Sequence, residues 1–70
     1  MNLAEGLARE IARVTTLRGR YAELLDMPGV NVRPALFLMD QALERAKKAA
    51  GVDDALEQMA AYEDLKGFEK

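Results

Sequence analysis

The sequence predicts a single small all-α domain, and three observations lead to that prediction. Large apolar residues recur at spacings of three and four between Leu3 and Leu25, which is the period of one helical stripe. A segment rich in proline and glycine then ends the pattern, and a second apolar stripe with helical spacing follows it. The 70 residues are therefore expected to form one domain, an antiparallel helical hairpin with a short third helix.

The first helix is predicted over residues 3–25. Asn2 suits its N-cap, and Glu5 stands at the third helical position, which is the arrangement of a capping box. Its large apolar side chains form one stripe, which we expect to lie in the core or in a dimer interface. The members of this stripe include Leu7, Ile11, Val14, Leu17 and Tyr21.

Glycines inside the first helix need an explanation, because each costs about 1 kcal/mol relative to alanine. Gly19 belongs to a ridge of small side chains beside the apolar stripe, and that ridge has two possible interpretations. Either it lets another helix approach closely, or its alanines are there because alanine favours helix formation. The other members of the ridge are Ala4, Ala8, Thr15 and Ala22.

Residues 26–33 are predicted to form a loop, because this segment contains a proline, a glycine and an asparagine and a second proline, Pro34, follows it. Pro34 suits the first position of a second helix over residues 34–50. Gly51 is a natural C-terminal stop for that helix. Its apolar face contains several alanines and the larger residues Leu36, Met39 and Leu43.

A third helix is predicted over residues 53–65, with Asp53 as its N-cap. Its expected apolar side consists of Ala55, Leu56, Met59, Ala60 and Tyr62. An alternative is that the second and third helices continue through Gly51. The chain would then be a plain two-helix hairpin that dimerises into a four-helix bundle.

The small size of the chain predicts association with a second copy. A chain this short buries only about 60% of the surface that its unfolded form exposes. It has no cysteine and no histidine, so neither a disulfide nor a zinc site is expected to stabilise it. A homodimer is the simplest remaining solution.

The sequence also predicts a cytoplasmic protein that is not associated with a membrane. No apolar run approaches the roughly 18–20 residues of a membrane span. The N-terminus lacks the basic-then-apolar pattern of a signal peptide.

The residue types present exclude most kinds of catalysis. The chain lacks histidine, cysteine and serine, which are the commonest general base and nucleophiles. Its scattered glycines match no phosphate-binding or dinucleotide-binding motif. Glu10 and Glu63 lie near apolar stripes and can be read as partly buried acids or as exposed flank residues. We therefore expect a protein that is not an enzyme, with no catalytic residue, no cofactor and no metal.

One flank of the first helix carries Arg9, Arg13 and Arg20, with Thr16 between them. Arginine binds phosphates and carboxylates well, so this arginine flank can be read as a site for a protein partner or for nucleic acid. It can also be a solvated flank that nearby glutamates neutralise. The net charge of the chain is −2, which makes nucleic acid an unlikely partner.

The second helix carries Phe37 and Gln41 on its polar face. An aromatic ring in such a position is typical of interface anchors, although a valine of the loop or the third helix can also cover it. Arg18 lies within the apolar stripe of the first helix. Its charge can reach outward to solvent, or it can pair with an acid across a subunit boundary.

Three segments together resemble small helical accessory proteins that bacteriophages and prophages encode. These segments are EIARVTTLR at residues 10–18, MPGVNV at residues 27–32 and LKGFE at residues 65–69. The resemblance implies a protein that binds a larger host protein and inhibits or redirects it. From the residues, the expected function is a protein–protein interaction module that contains Arg9, Arg13, Arg20, Phe37 and Gln41 in its contact surface. A nucleic-acid-binding regulator and a structural part of a virion are the alternatives.

Overall fold

The computed structural model describes residues 2–68 as three α-helices. These are α1 (Leu3–Ala22), α2 (Arg33–Ala50) and α3 (Ala55–Lys66). The predicted all-α class is confirmed, and each helix packs against both others. Residues 51–54 separate α2 from α3, so the alternative of one continuous helix through Gly51 is wrong.

The start of α1 follows the prediction, but its end does not. Asn2 Oδ1 accepts a hydrogen bond from the Glu5 N–H at 2.8 Å, and Glu5 Oε1 accepts one from the Asn2 N–H at 3.3 Å. At the other end, α1 stops at Ala22, before the predicted Leu25. The N–H groups of Leu24 and Leu25 bond to carbonyls only three residues earlier. These tighter turns end the α-helix, so the loop covers residues 23–32 instead of 26–33.

α2 begins at Arg33, one residue before its predicted start, and Pro34 occupies the second helical position. The Arg33 N–H, which has no partner within the first turn of the helix, donates to Asn31 Oδ1 at 3.3 Å. The side chain of Asn31, in the loop, therefore satisfies the first backbone N–H of α2.

α3 begins after Asp54, and the predicted N-cap Asp53 is wrong. Asp54 Oδ1 accepts hydrogen bonds from the N–H groups of Leu56 and Glu57 at 3.1 and 3.3 Å. The backbone of Asp54 is extended, as an N-cap requires. The helix then continues to Lys66, beyond the predicted end at residue 65.

The core lies within a single chain, between the three helices. Six of the predicted core residues are buried there: Leu7, Val14, Leu17, Leu36, Met39 and Leu43. Ile11 and Tyr21, also predicted for the core or a dimer interface, are half-buried and pack against the edge of this core. α2 and α3 cover the apolar stripe of α1, so a second copy is not needed to shelter it.

Polar contacts between the helices define their directions. Arg18 of α1 bonds Asp40 of α2, and Arg45 of α2 bonds Asp64 of α3 at 2.9 Å. Gln58 Nε2 donates to the Ala49 carbonyl at 3.3 Å. The later residue of α3 thus contacts the earlier residue of α2, so the two helices run antiparallel. The molecule measures 43 × 19 × 16 Å. None of its described helices is both long enough and apolar enough to cross a bilayer.

Candidate protein-interaction surfaces

The first half of α2 presents an uncharged outer face to solvent. We call Pro34, Phe37, Leu38 and Gln41 the α2 outer face, since helical spacing places them opposite the core. All four are exposed, and Phe37 and Leu38 keep 63% and 56% of their accessible surface. The alternative in which the loop or α3 covers Phe37 is therefore wrong. The outer side of the second half of α2 is charged instead.

A shallow groove of about 400 Å³ lies beside the α2 outer face, where α3 ends against α2. Apolar carbon from Leu38, Ala42 and Phe68 lines it, together with the side chain of Gln41. The ion pair between Arg45 and Asp64 borders the groove. The structure thus brings the predicted residues Phe37 and Gln41 next to a groove that the sequence did not indicate.

The arginine flank of α1 does not act as one continuous basic strip. Arg13 Nε donates to Glu10 at 3.0 Å, and Arg13 Nη2 donates to the Leu65 carbonyl in the last turn of α3 at 2.9 Å. This side chain fastens α3 to α1 and is not free for a partner. Arg9 and Arg20 remain exposed. Arg9 and Arg20 are therefore accessible to a partner, whereas Arg13, which lies between them, is held by α3.

Arg18 forms an ion pair within its own chain, so the alternative of a contact across a subunit boundary is wrong. Its Nη2 donates to Asp40 Oδ2 at 3.2 Å, and its Nε donates to the other carboxylate oxygen. The hydrogen bond from Arg18 holds the pKa of Asp40 below its usual value. Both side chains are well exposed, and such pairs contribute little to stability. This pair links α2 to α1.

A second apolar surface lies on α3 and the link before it, and it includes two residues of the predicted apolar side of this helix. The buried residues of α3 are Ala61 and Leu65, whereas Leu56 is 82% and Met59 is 53% exposed. Val52, in the link before α3, is 52% exposed. We call Val52, Leu56 and Met59 the α3 outer face. The predicted apolar side of this helix is therefore wrong for Leu56 and Met59, whereas Tyr62 is half-buried and packs against the core.

Negative charge surrounds the α3 outer face. Asp53, Glu57 and Glu63 are exposed, and within residues 2–68 none of them forms an ion pair. Residues 51–70 contain six acidic and two basic side chains, which gives −4. Lys66, the one basic residue of α3, lies 5.8 Å from the centre of the Tyr62 ring. The surface thus combines exposed apolar side chains with exposed carboxylates.

Glu10 and Glu63, the two acids near the predicted apolar stripes, have different surroundings. Glu10 pairs with Arg13 at 2.9 Å, and Glu63 is exposed. Residues 2–68 contain no group of three or more acidic side chains placed to hold a metal ion. The two apolar outer faces are therefore the features that most resemble a functional site.

Comparison with known proteins adds no family to this description. No family model, no curated protein and no solved structure matches the chain. The two outer faces and the charges around them are therefore the features that bear on its function.

Proposed function

We propose that this chain is a protein–protein interaction module without enzymatic activity, and that its α3 outer face binds a larger protein partner. The observation that carries the proposal is the joint exposure of the α3 outer face, where Val52, Leu56 and Met59 keep 52%, 82% and 53% of their surface. Exposed apolar surface of this kind is typical of interaction sites when polar residues surround it. The expected partner is a protein of the same cytoplasm, which agrees with the accessory role that the phage resemblance implies.

The charges around the α3 outer face indicate the chemistry of the partner. Asp53, Glu57 and Glu63 attract a basic surface and repel an acidic one. Leu56 and Met59 lie three residues apart, on one side of α3, where they can contact the apolar side of a second helix. Methionine adapts easily to such a surface. We therefore expect the bound segment to be a basic amphipathic helix of the partner.

A pair of designed peptides tests this proposal. We suggest a leucine–lysine amphipathic helix of about 18 residues, which forms about five turns, and a leucine–glutamate peptide of the same pattern. Fluorescence anisotropy should show binding of the lysine peptide at about 50 mM salt and clearly weaker binding at about 500 mM, where charges are screened. Equal binding of both peptides would contradict the proposal.

Two substitutions locate the binding surface. Leu56→Gln should weaken binding of the lysine peptide about tenfold or more, because a buried leucine contributes about 1.5–3 kcal/mol. Ala8→Gln is the matched control, since Ala8 is an exposed helical residue on α1 and should leave binding unchanged. Equal affinities of the two variants would place the site elsewhere.

Duplex DNA at the same low salt separates this function from the alternative of a nucleic-acid regulator. Only Arg9 and Arg20 of the arginine flank remain available, so we expect no binding. Binding of DNA that weakens steeply as salt rises would favour the alternative.

A further inference from the structure

From the α2 outer face we infer that two copies of this chain form an antiparallel dimer in which each α2 crosses the other near Leu38. This goes beyond the binding of a partner by α3, because it uses a different surface. It also replaces the sequence prediction of a dimer formed through the α1 stripe, whose residues are buried within one chain.

The exposed area of the chain supports a dimer. A compact monomer of 7.8 kDa is expected to expose about 4,400 Å², whereas this chain exposes 4989 Å². The excess of roughly 600 Å² reflects the elongated shape of the molecule, which leaves the outer side of α2 accessible to a second copy. Its radius of gyration is 13.0 Å, against about 11 Å for a compact domain of this length.

The charges along α2 are self-complementary in an antiparallel arrangement. Arg33 and Glu44 lie on the same flank of the helix, eleven residues or roughly 16 Å apart. The residues of the α2 outer face between them are uncharged, and Asp40, which lies on the same flank, is paired with Arg18 of its own chain. A crossing near Leu38 therefore brings Arg33 of each copy level with Glu44 of the second copy, and this contact occurs twice around the two-fold axis. Within residues 2–68 neither side chain forms an ion pair.

The same crossing covers the apolar residues that α2 exposes. Phe37 and Leu38 are then buried between the copies, and the groove beside Leu38 and Phe68 is closed from solvent. The α3 outer face is a poor candidate for self-association, because it would bring two segments of charge −4 together. The α2 outer face is accordingly assigned to a second copy of this chain.

Sedimentation equilibrium across about 1–500 μM chain tests this dimer, since dimerisation depends on concentration. We expect the unaltered chain to be a dimer at the upper end of this range. Phe37→Gln should raise the dimer Kd about tenfold or more. Leu56→Gln is the control and should dimerise normally. A monomer throughout the range, or equal Kd values for the two variants, would overturn the inference.

Charge reversal tests the antiparallel arrangement itself. Arg33→Glu alone and Glu44→Arg alone each turn two attractive contacts into two repulsive ones, and each should raise the Kd roughly tenfold or more. An equimolar mixture of the two variants should form a mixed dimer close to the original affinity, because both contacts become attractive again. If the mixture associates no better than either variant alone, the proposed crossing is wrong.

The two surfaces can fail independently. Phe37→Gln should still bind the lysine peptide, and Leu56→Gln should still dimerise. Loss of both properties in either variant would show that one surface serves both purposes, and this would overturn the assignment of α2 to a second copy.

Discussion

A methyl group added at Gly19 would meet open space, because no side-chain atom or atom of another helix lies within 4 Å of that position. The interpretation of the small ridge as a close helix contact is therefore wrong at this residue. Gly29 differs in its backbone, whose φ of +81° lies in the left-handed region. Glycine adopts that region at no steric cost. Gly19 is thus replaceable, whereas Gly29 is required by the turn that leads into α2.

We expect Gly19→Ala to stabilise the protein by about 0.5–1 kcal/mol, since alanine favours a helix and reduces the freedom of the unfolded chain. Gly29→Ala should destabilise it by about 1–2 kcal/mol, because alanine is strained at positive φ. Urea unfolding followed by circular dichroism measures both changes. A loss of stability in Gly19→Ala would mean that another helix, such as one from a second copy, packs against that position.

Each helix begins and ends where its terminal backbone N–H and C=O groups find hydrogen-bond partners. Two adjacent aspartates precede α3 in the sequence, and aspartate is a favoured N-cap residue. Asp54 is the cap because its backbone is extended and its carboxylate reaches the N–H groups of Leu56 and Glu57. Asp53 remains exposed. The choice between adjacent candidates depends on the path of the link from α2, which periodicity does not encode.

Asp54→Ala should destabilise the protein by about 0.5–2 kcal/mol, which is the usual cost of removing an N-cap. Asp53→Ala is the matched control and should change stability by less than about 0.5 kcal/mol. Urea midpoints at neutral pH compare the two variants. Equal losses would indicate that both carboxylates cap α3 in solution.

At the scale of the whole molecule, α3 completes the core of the α1–α2 hairpin. Leu65 and Ala61 are fully buried between the helices, and Arg13 of α1 donates to the Leu65 carbonyl. Leu56, on the opposite side of α3, contributes little to this packing. The third helix is therefore part of the single core and not an independent appendage.

Leu65→Ala should destabilise the entire domain by about 2–5 kcal/mol, because it leaves a cavity among buried side chains. Leu56→Ala, on the same helix, should cost less than about 0.5 kcal/mol. Thermal unfolding followed by circular dichroism should show one transition in both variants. A separate early transition in Leu65→Ala would mean that α3 unfolds independently of the hairpin.

The sequence alone was sufficient for the all-α class, for the three helices and for most of the core. Leu7, Val14 and Leu17 recur with a helical period, and this spacing follows from local geometry that needs no knowledge of the neighbours. The Asn2–Glu5 capping box was predictable for the same reason, since its partners are three residues apart. Phe37 and Gln41 were recognised as outward-facing from the same periodicity.

Long-range packing determined the rest. α3 has apolar residues around most of its circumference, so its sequence does not distinguish Leu65, which α1 and α2 bury, from Leu56, which they leave exposed. Arg13 and Arg18 likewise find their partners in other helices, at Leu65 and Asp40. Helical periodicity shows which residues share a side of a helix. Which side is buried depends on the other helices, because burial is a property of the assembled fold.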